Sequence, residues 1–197
     1  MSDDIDVPCA DISVLTKQIF DGIPQINTEH QLVDIISSLK YKSDEAITEF
    51  KNILIAFTNI LSAVSGIHIL KEYNHKIIES IEQYPKNIID TFIMHGYIKN
   101  NGEYRKRIIE ADEKFFLNES YNEYTEGRPK SIVDYIFQFK MFWHNLNDEN
   151  KNIIKNLLLT LCHFADKRYV CYYKYLELKT VNHEKFKKIF EKNDAYM

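Results

Sequence analysis

AITEFKNILIAFTNILSAV, residues 46–64, decides the fold class. Ile47, Phe50, Leu54, Phe57, Leu61 and Val64 recur at steps of three and four, the period that lines them up on one face of an α-helix. Ala46, Ile53, Ile60 and Ala63 widen that seam, so the helix is expected to pack on more than one neighbour, as bundle helices do. Upstream, Ser43 is the expected N-cap, with Asp44 and Glu45 at the positive end of the helix dipole. Downstream, Gly66 is the expected residue just past the helix end.

The same two signals, apolar periodicity and caps, extend along the whole chain. Residues 1–10 read as a mobile acidic arm, followed by a short helix over Asp11 to Phe20 and a turn at Asp21-Gly22-Ile23-Pro24. Thr28 and Gln31 form a capping-box pattern that opens a helix to about Lys40. Ile67, Leu70, Ile77, Ile78 and Ile81 mark a helix ending before Pro85. Its short link to residues 46–64 predicts an antiparallel hairpin, with one continuous helix through Gly66 as the alternative. A shorter helix over 86–99 precedes a turn at Asn100-Asn101-Gly102. Glu103 to Leu117 reads as one helix with Tyr104, Ile108, Ala111, Phe115 and Phe116 inward.

Asn118 to Pro129 has no apolar period and is the expected loop, the place for any domain boundary within 11–197. Ser131 and Asp134 open the most hydrophobic helix, 131–146, whose polar strip of Asp134, Gln138 and Asn145 is narrow. A helix apolar nearly all round is central to a core or half buried against a partner. At about 1.5 Å per residue it is only about 24 Å long, and it carries Asp134 and Lys140, so it is not expected to span a membrane. Asn147 is the expected cap of a further helix that breaks near Asp166, and Asn182 the cap of a last helix ending near Lys192. The class this defines is all-α, a bundle of about seven to nine helices in a single helical domain.

Composition agrees. Five Gly and four Pro in 197 residues give too few turns for a sandwich or barrel. No run of 18 apolar residues occurs, so no membrane span is expected. The N-terminus MSDDIDVPCADIS has neither a basic nor an apolar leader region, so no secretory signal is expected. Cys9, Cys162 and Cys171, an odd number without a CxxC pair, fit a reducing compartment.

Candidate chemistry is sparse. His68, Glu72 and His75 fall at i, i+4 and i+7, where one helix face could present three metal ligands. Glu79 and Glu82 extend the same stripe opposite the isoleucines, which is the pattern of a solvated face, and no second Glu-x-x-His exists to complete a di-iron site. Cys162 and Cys171, with His163 and His144, do not fit zinc: nine residues of helix place the two thiols on opposite sides, about 13 Å apart. They are expected to be buried free thiols. No phosphate-binding glycine loop and no GxSxG elbow occurs, and no cofactor is expected. Lys185, Lys187, Lys188 and Lys192 oppose Phe186, Ile189 and Phe190 on a terminal helix, expected to close the core, with a phosphate- or nucleic-acid-binding tail and a partner-docking helix as the other uses. Only four of the 25 basic residues are Arg, a poor composition for reading phosphates or bases. Partner-binding candidates are Phe137, Met141 and Trp143 on the hydrophobic helix and Tyr121 and Tyr124 in the loop.

Phe142-Trp143-His144-Asn145-Leu146-Asn147-Asp148-Glu149-Asn150-Lys151, followed by the apolar run from Ile153 to Phe164, resembles a pattern in small helical proteins of nucleocytoplasmic large DNA viruses. The abundance of Ile (27), Lys (21) and Asn (16) accords with such a source. The shared pattern is structural, an apolar helix, a cap and a second apolar helix, so it carries no catalytic residues. What it implies is a viral source, without a job. The excess apolar surface of helix 131–146 and the empty site inventory add the expectation of a non-enzymatic protein of the virion or the host cytoplasm, acting through a protein partner or self-association. A helix-bundle enzyme or metal protein and a weak nucleic-acid binder are the alternatives.

Overall fold

Apolar stripes at helical spacing become long rods in the computed structural model, which describes residues 8–64, 68–118, 140 and 142–194. The described part is an all-α bundle, without a strand among the described residues. Helix α1, Ile12–Phe20, is capped by Asp11, whose carboxylate accepts the Ser13 N–H at 2.8 Å. The capping box forms: Thr28 Oγ1 accepts from Gln31 N and Gln31 Oε1 accepts from Thr28 N, both at 3.2 Å. The helix it opens does not stop near Lys40. It runs from Glu29 to Val64 as α2, 36 residues and about 54 Å.

Ser43 is therefore no cap. It is buried in the middle of α2, on the stripe Leu32, Ile36, Leu39, Ser43, Ala46, Phe50. With no Gly or Pro between Glu29 and Val64, nothing in the backbone interrupts the helix, and the serine hydroxyl finds a tertiary partner instead. Helix α3, His68–Gln83, packs on α2, and Asn74 Nδ2 donates to Asn59 Oδ1 at 2.9 Å, as in the expected antiparallel hairpin. Gly66 lies outside the described residues.

Helix α4, Pro85–Ile93, starts with its proline in the first turn, where the missing N–H costs nothing. A π-turn at Met94–Ile98 and a 3₁₀ turn at Lys99–Gly102 follow, and the wider turn carries Gly96 and Tyr97 inward. Asn101 and Gly102 take positive φ, so the expected turn is there. The single helix expected over 103–117 is instead two, α5 (Glu103–Ile109) and α6 (Glu113–Asn118). Ala111 sits between them, exposed and at φ +51°, and Asp112 caps α6 by accepting the Phe115 N–H at 3.0 Å. Cap chemistry at Asp112 outweighed the apolar period there.

The last helix, α7, spans Asp148–Asn193, capped by Asn147 Oδ1 accepting from Asn150 N at 2.8 Å. It does not break near Asp166, nor does Asn182 cap a new helix. Asn182 is buried, its Nδ2 bonded to the Leu178 carbonyl, and the kink comes at Phe186 (φ −131°).

α2 and α7 run antiparallel along most of their lengths. Proximal α2 meets distal α7 in a cluster of Leu32, Ile36, Leu39, Tyr175, Leu178 and Phe190. A middle cluster joins Leu15, Phe50, Ile89, Ile93, Tyr97 and Leu161. Distal α2 meets proximal α7 around Phe142, Trp143, Leu146 and Ile154. The expected arm over 1–10 is shorter on the described side: Pro8 is buried and the Ala10 carbonyl accepts from Arg105 at 3.1 Å. The loop 118–129 and all of helix 131–146 before Lys140 fall outside the described residues, Asn118 apart.

α2 also carries an 18-residue window of mean hydropathy 1.2, long and apolar enough to cross a membrane by length and composition alone. The expectation of no such segment rested on uninterrupted apolar runs, and Glu49 and Lys51 interrupt this one without lowering its mean enough.

Candidate functional site

Where α4 and α5 meet the middle of α7, ionisable groups converge inside the core. The Arg105 guanidinium, 1% exposed, forks onto Asp166, Nε to Oδ1 at 2.9 Å and Nη2 to Oδ2 at 2.7 Å. Its Nη1 holds the Ala10 carbonyl, and it lies 5.2 Å from the Tyr97 ring centroid. The Tyr97 hydroxyl donates to Asp166 Oδ1 at 2.5 Å, with the Cys162 carbonyl a second acceptor at 3.0 Å. Burial first, and then the negative neighbours, push the Tyr97 phenol well above its ordinary value, so it stays a donor. Burial is the largest single influence and opposes the Arg105 charge, yet the hydrogen bonds and charge of Asp166, together with Tyr97, outweigh it and raise the pKa. Each of the three guanidinium nitrogens and the Tyr97 hydroxyl is bonded to a protein acceptor. It is a pin between α5, the chain ahead of α1, and α7.

A second pin uses Arg168, also 1% exposed. Its Nε donates to Asp90 Oδ1 at 3.0 Å and its Nη1 to Ser43 Oγ at 2.6 Å, which ties α7 to α4 and α2. Arg107 pairs with Glu103 and Asp112 at 2.6 and 2.9 Å. Three of the four arginines are thus committed to intramolecular carboxylates. Their rarity was the available signal: in a chain with 21 lysines, an arginine marks a place where a planar fork is needed.

Two clefts remain. One, about 200 Å³, lies between distal α2, α6 and proximal α7, lined by Phe57, Phe116, Leu117, Trp143, Ile154 and Leu158, with Glu113, Lys140 and Lys155 among its polar groups. Glu113 accepts from Lys155 at 2.5 Å and from Trp143 Nε1 at 3.1 Å, and those two bonds hold its carboxyl below the ordinary value of 4.5. A carboxyl lowered on folding adds stability above its unfolded value and loses it as pH falls through the folded one. Glu113→Gln should therefore lower stability at neutral pH and flatten the acid limb below about pH 4.5, as read by urea melts at stepped pH. A limb as steep as in the wild type would remove this role. The other cleft, about 480 Å³, lies between α1, α2 and α7.

Of the expected partner residues, Trp143 is 8% exposed, part of the distal cluster, with its indole N–H given to Glu113. It is therefore not presented to a partner in this chain. Phe137, Met141, Tyr121 and Tyr124 lie outside the described residues. Glu72 and His75 are exposed on α3, and the His68 side chain is outside the described set. Among the described residues no three His, Cys, Asp or Glu side chains group to hold a metal. Cys162 and Cys171 are buried free thiols, as the helix geometry required, and burial pushes Cys162 up to about 12. Phe186 and Phe190 are buried, and the Lys185 ammonium reaches the Asn27 carbonyl at 3.2 Å, so the basic terminal helix closes the core.

Compared with family models, characterised proteins and solved structures, the chain matches none. What fold and clefts define is a class, an all-α bundle held together by two buried arginine pins.

Proposed function

We propose that this is a non-enzymatic helical protein of a nucleocytoplasmic large DNA virus that works through protein contacts, in the virion or the infected cytoplasm, and that its first partner is a second copy of itself. The supporting observation is the under-covered end of the α2–α3 hairpin. Proximal α2 buries five stripe residues, Leu32, Ile36, Leu39, Ser43 and Ala46, whereas from Ile47 to Val64, its most apolar length, only Phe50 and Ser62 are buried. Among the α3 side chains that the structure describes, only Ile81 is buried, Tyr73 is 40% exposed, and Tyr73 and Ile77 share a face one turn apart. Apolar surface left in this state is what a helix-on-helix interface removes from water, at roughly 25 cal/mol per Å².

The viral attribution is supported by the aromatic-cap-helix pattern of residues 142–164 and by composition. Light scattering after size exclusion tests the contact. The wild type should elute above its monomer mass of 23.4 kDa, and Tyr73→Glu/Ile77→Glu should return it to that mass with an unchanged melting temperature. A wild type that is monomeric at high micromolar concentration, or that floats with phospholipid vesicles through α2, would overturn the proposal.

A further inference from the structure

We propose that the groove between α1, α2 and α7 is a docking site for an acidic, aliphatic segment of a partner protein. α7 turns Lys167, Val170, Cys171 and Lys174 along one face, at i, i+3, i+4 and i+7. α1 lies beside this face and supplies Val14, Leu15 and Gln18, and α2 supplies Lys42 and Glu45. The result is an apolar floor with cations at its edges, about 480 Å³, inside the range of roughly 300–1,000 Å³ typical of ligand clefts.

Charge identifies the occupant. Asp166 borders the groove, but both its oxygens are taken by Arg105. Glu45 is the remaining acid among the described lining residues. Against it stand Lys42 and Lys167, both exposed, while Lys174, one turn past Val170 and beyond the lining, lays its ammonium over Gly22 in the space a side chain there would fill. None of the three forms an ion pair among the described residues, whereas Lys86, Arg105, Arg168 and Lys179 do. Lys42, Arg168, Lys174 and Lys167 all act on the buried Cys171 thiol, so the cations do converge, and Arg168 alone among them is neutralised, by Asp90.

A nucleic acid would need a track of cations along a backbone, and would waste the apolar floor. A peptide alternating carboxylates with Ile or Val fits both features, its acids on Lys42 and Lys167 and its aliphatic groups against Leu15 and Val170. The chain's own Asp3, Asp4 and Asp6 lie a few residues before Pro8 and Cys9, which line the groove, and they are the competing occupant. The proposal extends the protein-contact reading to a second surface and rests on it only in taking the ligand to be a protein segment.

The test is fluorescence anisotropy on the full chain at low salt. The probe is a labelled short peptide of alternating Asp and Ile or Val, with its Asn counterpart and a single-stranded oligonucleotide of equal charge for comparison. Binding of the Asp peptide should weaken about tenfold, about 1.4 kcal/mol, in Lys42→Glu/Lys167→Glu and in the milder Lys42→Gln/Lys167→Gln. It should be unchanged in Lys187→Glu/Lys188→Glu and in Tyr73→Glu/Ile77→Glu, which separates this surface from the α2–α3 face. Equal loss in the Lys187 and Lys188 variant, equal binding of the Asn peptide, or tighter binding of the oligonucleotide would overturn it. So would absence of binding, whether it persists in Asp3→Asn/Asp4→Asn/Asp6→Asn or is relieved there, the second outcome assigning the groove to the chain's own acidic stretch.

Discussion

Arg105→Met should lose about 3–5 kcal/mol of folding stability, the cost of leaving one charge of a buried pair without its partner. Asp166 keeps only the Tyr97 hydroxyl when the guanidinium goes, and the Ala10 carbonyl loses its donor as well. Against a total of roughly 5–15 kcal/mol for a domain of ordinary stability, that is a large fraction. Asp166→Leu should cost a similar amount, because it strands the guanidinium in a site 1% exposed. The double variant Arg105→Met/Asp166→Leu should cost clearly less than the sum, since neither charge is then left alone. Urea unfolding of the four proteins, analysed as a cycle, gives the coupling directly. Additive losses, or a single Arg105→Met loss under about 1 kcal/mol, would mean that the pair is solvated in solution and pins nothing.

That pin also marks where the sequence stopped being informative. Thr28 with Gln31 and Asn147 with Asn150 are local: the partners lie three residues apart, so their spacing was legible and the hydrogen bonds formed as read. The stripe from Ile47 to Val64 was legible for the same reason. Ser43, Asp166 and Asn182 look locally like caps or breaks, but distant partners decide the first two. Ser43 Oγ accepts a hydrogen bond from Arg168, 125 residues on, and Asp166 holds Arg105, 61 residues back. Asn182 turns its amide onto the preceding turn and stays inside the helix. Tyr97 was hidden for another reason. A π-turn, which no apolar period of 3.6 anticipates, rotates it into the core. The candidate groove was illegible because it gathers Lys42 and Lys167 from helices more than a hundred positions apart, each of which reads alone as an ordinary exposed lysine.

Phe190→Ala should cost about 3–5 kcal/mol, the range for emptying a buried aromatic site. Phe190 is fully buried, stands edge-on to Tyr175 with ring centroids 5.9 Å apart, and shares the proximal cluster with Leu32, Ile36 and Leu178. Its backbone carbonyl also accepts from the Tyr175 hydroxyl at 3.3 Å. The neighbouring lysines behave differently. Among the described residues Lys187 pairs with Glu191 alone, at 3.8 Å, both side chains mostly in solvent, so Lys187→Glu/Lys188→Glu should shift stability by no more than about 0.5 kcal/mol. The contrast bears on function. Deleting residues 183–197 removes Phe186 and Phe190 together with the lysines, so any binding lost by that deletion would report an opened core. The charge swap leaves the core intact, and it is the variant in which nucleic-acid binding by the terminal helix has to be sought, in a low-salt gel shift. Thermal melts monitored by circular dichroism decide the structural half. A chain lacking 183–197 that melts like the wild type would show that the terminal helix is an appendage and that the proximal core is closed without it.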